Sequence, residues 1–127
     1  MSTGPSAPGV PPVTLDATAL ARLRELDPDG RHGVVVRVLE AFEASLGRLL
    51  GQLREEPDAG DAAVVAGIAH TLKSSSASVG ALALSARCAE IERRLREGAD
   101  GDLQADVQRL LAEGEAALRA VGSMLRP

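Results

Sequence analysis

Between His32 and Glu56 the apolar residues Val35, Val38, Leu39, Phe42, Leu46, Leu49, Leu50 and Leu53 recur at steps of three and four, the period of one helix face. A long amphipathic helix is the reading, and "PDAG" at 57–60 breaks it. Beyond the break, Asp61 is placed to cap a helix with Val64, Val65, Ile68, Leu72 and Val79 on one stripe, closed by Gly80. Leu84, Cys88, Ile91 and Leu95 mark the next helix, which "GADG" at 98–101 stops. The last runs from about Asp102 with Leu103, Val107, Leu110, Leu111, Leu118, Val121 and Leu125. Ahead of these four, Asp16 caps a short helix to about Leu26, with Leu15, Ala19, Leu23 and Leu26 inward, and "DPDG" at 27–30 ends it.

Four single-stripe helices with short connections fold economically as an antiparallel four-helix bundle, and the short extra N-terminal helix covers one end. The fold class is therefore all-α. Only "GVVVRV" at 33–38 has the look of a strand, and no partner strand accompanies it. Residues 1–12, "MSTGPSAPGVPP", carry four of the seven prolines and no apolar period, so they read as a flexible tail before a domain at 13–127.

Composition narrows function by exclusion. The 127 residues suffice for one hydrophobic core. That core is built from Ala, Leu and Val, with one Phe and no Trp or Tyr. A net charge of -4 without aromatic stacking platforms argues against nucleic acid. No apolar run reaches the ~18 residues of a membrane span, and no signal core opens the chain, so a cytoplasmic location is expected. The single Cys88 forms no internal disulfide and lies on an apolar stripe, where it reads as core.

Chemistry concentrates in "AHTLKSSSASVG", residues 69–80, where His70 precedes the only lysine, Lys73. With Ile68 at zero and about 100° per residue, Leu72, Ser75 and Val79 fall within about 40° of it and His70 lies near 200°, facing solvent. Around His70 on the outer face stand Ala63, Ala66, Gly67, Lys73, Ser74 and Ala77. All but the lysine are small, where a solvent face ordinarily carries long charged residues. Gly67 and the serines cost helix stability, so the bareness points to a docking face onto which a second protein lowers its own site. Ser75 and Ser76 lean toward neighbouring helices, where small side chains permit close approach and hydroxyls reach the carbonyl four residues back. A neutral imidazole is a nucleophile at cellular pH, and a flexible ammonium one turn away suits a phosphoryl group that arrives and leaves.

The ordered pattern Ala69, His70, Leu72, Lys73, Ser75, Gly80 and Ala81, followed by Leu84, Cys88 and Ile91-Glu92, resembles the signature of the histidine-containing phosphotransfer (HPt) domain family. The likeness extends to "LDATALARLREL" at 15–26 and to Phe42, covering roughly residues 13–125. It implies that His70 is the phosphoacceptor and that Lys73 steadies the phosphoryl group. The partners implied are a receiver domain of a response regulator and/or a hybrid sensor histidine kinase, met by a monomer. No cofactor is implied on this chain, because magnesium and most of the catalytic apparatus belong to the receiver. The chain is then a carrier rather than an enzyme. Ser74 departs from the family pattern, which has glycine there.

The remaining polar positions draw plainer readings. His32 opens a helix without a lysine nearby and reads as solvated or capping; "ERRLRE" at 92–97 and "REE" at 54–56 read as solvated faces. Phe42 reads as core, within reach of the surface near His70. Two histidines 38 positions apart with no convergent carboxylate or cysteine motif give no metal site. The rival function is a helical-bundle adaptor that binds or sequesters a receiver or kinase while His70 stays unphosphorylated. The initial Met and the proline-rich start favour a freestanding protein over a fragment of a hybrid kinase.

Overall fold

A computed structural model describes residues 15–55, 62–98 and 103–127. Among them the chain forms five helices and no strand: α1 (Ala17–Glu25), α2 (Val34–Glu55), α3 (Ala62–Ser78), α4 (Leu82–Arg96) and α5 (Leu103–Leu125). Cross-helix pairs give the directions. His70–Glu92 and Lys73–Ser85 run in opposite senses along α3 and α4. Arg87–Glu113 and Arg94–Asp106 run in opposite senses along α4 and α5. Arg54–Glu115 and Arg126–Glu43 do the same for α2 and α5. The four long helices thus make the antiparallel bundle that their stripes predict, with α1 against α2.

The core is aliphatic, as composition requires: Leu46, Leu50, Leu53, Leu72, Leu84, Ile91 and Leu110 are its largest fully enclosed side chains. Phe42 is buried with them. On α5 the small residues Gly114, Ala116 and Ala117 are also interior, and a Cβ on Gly114 would stand 2.6 Å from Leu50 Cδ2, so α2 and α5 approach closely there. Gly80 ends α3 at φ +85°, and its carbonyl accepts the Asp16 N–H at 2.8 Å, which ties the start of α1 to the α3–α4 turn. Any side chain at Gly80 would meet the Asp16 backbone at 2.6 Å.

Three expectations change. Leu26 is 70% exposed, not inward. Its N–H bonds the Leu23 carbonyl and the next N–H bonds Arg24, so α1 ends at Glu25 and Leu20 supplies the buried contact instead. Second, α2 starts at Val34, because Asp27, only 6% exposed, accepts the backbone N–H of His32 in the approach and that of Val34, satisfying one orphan donor of the helix. Third, the interior stripe of α3 is Val65, Ile68, Ala69, Leu72 and Ser76, rotated about 50° from one centred on Ile68. Ser76 is fully buried, whereas Ser75 is half-buried and bonds the Thr71 carbonyl four residues back at 3.3 Å. His70 remains on the outer side after the rotation. The Asp61 cap, the tail at 1–12 and the "GADG" stop beyond Gly98 lie outside the described residues.

Candidate functional site

His70 stands in the middle of α3 with its side chain 70% exposed. Its Nδ1 lies 2.7 Å from Glu92 Oε2, and Lys73 Nζ lies 2.6 Å from Glu92 Oε1. One carboxylate on α4 therefore bridges the two candidate site residues of α3. The Lys73 hydrogen bond first, and that of His70 second, hold the Glu92 carboxyl below the usual carboxylate range. An ionised carboxylate only accepts, so in the neutral ring the proton sits on Nδ1 and Nε2 is the nitrogen that keeps a lone pair. That is the tautomer a nucleophilic imidazole needs.

Glu92 corrects the reading of residues 92–97 as a solvated face. Its side chain is 17% exposed and turned toward α3, and Arg94 turns instead to buried Asp106 at 2.8 Å; Arg93, Arg96 and Glu97 are exposed. The pointer in the sequence was the register: Glu92 follows Ile91 and lies one turn beyond Cys88 on the buried stripe, at the edge that meets α3. Cys88 is fully enclosed, and burial first, then the Glu113 and Glu92 carboxylates, push its thiol up to about 12 against the pull of Lys73. It is a packing residue. His32 is exposed at the approach to α2, engaged through its backbone N–H.

Around His70 the face is as bare as its sequence suggests. Ala63, Gly67, Ser74 and Ala77 are exposed, and Ala66 is half-buried. Two shallow grooves flank the N-terminal half of α3. One, of about 350 Å³, lies toward α4 and is lined by Ala62, Ala63, Ala66, Glu92, Leu95 and Arg96. The other, of about 250 Å³, lies toward α2 beside Leu49, Gln52, Gly67 and Thr71. Ala63 belongs to both, so it forms a low ridge between them. Ser74 and Ala77 lie outside both grooves, further along α3.

A model of the Hpt domain matches residues 37–121, which include α3, α4 and nearly all of α2 and α5. The chain belongs to the Hpt domain family. Its structure is similar to the crystal structure of histidine-containing phosphotransfer protein B (HptB) from Pseudomonas aeruginosa PAO1, at TM-score 0.73 and 26% identity, covering 95% of this chain and 97% of that one. A comparison with curated proteins gives no match. The Hpt match leaves α1 outside it, whereas the structural likeness spans nearly the whole chain.

Proposed function

We propose that this protein is a phosphoryl carrier in a two-component phosphorelay, taking a phosphoryl group from an aspartyl phosphate of one receiver domain onto His70 and passing it to the aspartate of another. The observation that carries this is the exposed imidazole whose Nδ1 is engaged by Glu92, which leaves Nε2 as the nucleophile. In the forward step the Nε2 lone pair attacks phosphorus, the N–P bond forms, and the P–O bond to the receiver aspartate breaks to release its carboxylate. The ring keeps its Nδ1 proton and becomes cationic, and Glu92 faces the charge that develops. The reverse step, with a second aspartate as nucleophile, restores the neutral ring.

Lys73 begins paired with Glu92 and is long enough to share its ammonium with the arriving phosphoryl oxygens. Ala63, Ala66, Gly67, Ser74 and Ala77 form the face on which the receiver docks, and the hydroxyl of Ser74 adds a donor that glycine lacks. The receiver supplies the magnesium and most of the chemistry, so the chain is a substrate and carrier acting as a cytoplasmic monomer. No helix among the described residues is long and apolar enough to cross a membrane.

The experiment is incubation with a phosphorylated receiver, followed by a search for an acid-labile, base-stable label. His70→Gln removes the label with helicity intact, and His32→Gln retains it. Label persisting on the His70 variant overturns the assignment; receiver binding with no label on the wild type supports the adaptor instead.

A further inference from the structure

Ser85 lies in the first turn of α4, its N–H bonded to the Ala81 carbonyl at 3.0 Å. Its hydroxyl does not turn back along its own helix. It crosses to α3 and donates to the backbone carbonyl of Lys73 at 2.8 Å. A carbonyl in the body of a helix has a second lone pair beyond the one used by the intrahelical bond, so Ser85 adds a contact without breaking α3. Among the side-chain hydrogen bonds of the described residues, this one holds the main chain of one site residue directly from the neighbouring helix.

Position gives the bond its meaning. Carbonyls point toward the C-terminus of a helix and long side chains lean toward its N-terminus. Lys73 is consequently held at two points of the antiparallel α4: its carbonyl by Ser85 near the start, and its ammonium by Glu92 seven residues on, about 10 Å along the axis. The same Glu92 holds His70 Nδ1 at 2.7 Å. A slide of α4 along α3 by a single residue rise, about 1.5 Å, would stretch and tilt that 2.7 Å contact and weaken it. The glycine turn at 80 limits such sliding from one end only, through Gly80 N–H to Ala77 and Ala81 N–H to Ser76.

We propose that Ser85 is a positioning residue: through the Lys73 carbonyl it sets the register of α4 on α3 that lets Glu92 fix the His70 tautomer. The role in phosphoryl transfer rests on the reading of His70 as phosphoacceptor, whereas the role in setting the tautomer does not.

The test separates the two by observing the unphosphorylated full-length chain without any receiver. Long-range proton–nitrogen correlation on ¹⁵N-labelled protein at pH 8.5 reads the protonated nitrogen of His70. The wild type shows Nδ1–H with Nε2 bare. In Ser85→Ala the two ring-nitrogen shifts move toward each other as the Nε2–H form gains population, and Ser85→Thr, which keeps the hydroxyl, restores the wild-type values. Ser78→Ala is the control, since it deletes a hydroxyl bond within α3, to the Ser74 carbonyl at 3.1 Å, and leaves the ring unchanged. Should Ser85→Ala fail to fold, Ser85→Cys, nearly isosteric with a weaker donor, is read in its place. In transfer from a phosphorylated receiver, Ser85→Ala is slower by about fivefold, the worth of one neutral hydrogen bond. Wild-type ring-nitrogen shifts in a folded variant without the hydroxyl overturn the proposal. Altered shifts in a protein that accepts no phosphate uphold the positioning role and overturn only the phosphotransfer reading.

Discussion

Replacing Lys73 by Ala removes the only lysine and leaves the fold a small debt, because the side chain is half-buried at the surface of α3 rather than in the core. Its effect on transfer follows from charge. An ammonium 4 Å from a phosphoryl dianion gains about 2 kcal/mol when water screens the pair, twice the value for two unit charges. Part of this is returned as the ammonium loosens from the Glu92 carboxylate, to which it is bonded at 2.6 Å in the resting site. A net of about 1.4 kcal/mol corresponds to a tenfold slower transfer. Lys73→Arg keeps the charge on a planar head that spans the Glu92 site differently, and retains part of the rate. The assay follows loss of phosphate from a labelled receiver under single-turnover conditions, with circular dichroism confirming the helices. Unchanged kinetics in Lys73→Ala would refute the reasoning, since a phosphoryl group at His70 cannot then be near the ammonium.

Arg placed at Ala66, in the α3–α4 groove, or at Ala77, further along α3, blocks the bare face. Receiver binding and transfer are lost in both while the melting midpoint of exposed Ala77→Arg shifts by no more than ~0.5 kcal/mol equivalent; normal binding would remove the face as a docking site. Ser76 is fully buried, and its Oγ has no partner among the described residues, so Ser76→Ala stabilises by about 1 kcal/mol and raises the melting midpoint by roughly 4 °C; a lower midpoint contradicts this. Glu92 has a carboxyl pKa depressed by Lys73 and His70, so its contribution is complete above the ordinary value near 4.3 and fades as pH falls through the depressed one. Glu92→Gln accordingly lowers the urea midpoint at pH 7 and differs less from wild type at pH 3; equal deficits at both pH values refute the linkage.

The helices were legible because each keeps one apolar stripe over several turns, as α2 does from Leu39 to Leu53. Boundaries failed where the deciding group acts from outside the helix: Asp27 caps α2 from seven residues before Val34, beyond any local capping pattern. The face of α3 was misjudged by a fraction of a turn because Ala69 and Ser76, although interior, carry little hydrophobic weight. His70 and Lys73 were legible as neighbours on one helix. Their common partner was not, since Glu92 sits in a run of charges and only the pairing of α4 with α3 selects it from Arg93, Arg94 and Glu97. Ser85 was invisible for the same reason, its one distinguishing bond being to a main-chain atom on another helix.

The central claim is that His70 carries phosphate on the nitrogen that Glu92 leaves free. Nitrogen and phosphorus resonance spectra of the ¹⁵N-labelled chain after transfer from a phosphorylated receiver test it most directly. The account predicts a single phosphohistidine at His70, phosphorylated on Nε2 and still protonated on Nδ1. Phosphate on Nδ1, phosphate on any other residue, or no phosphohistidine while the receiver binds would contradict it.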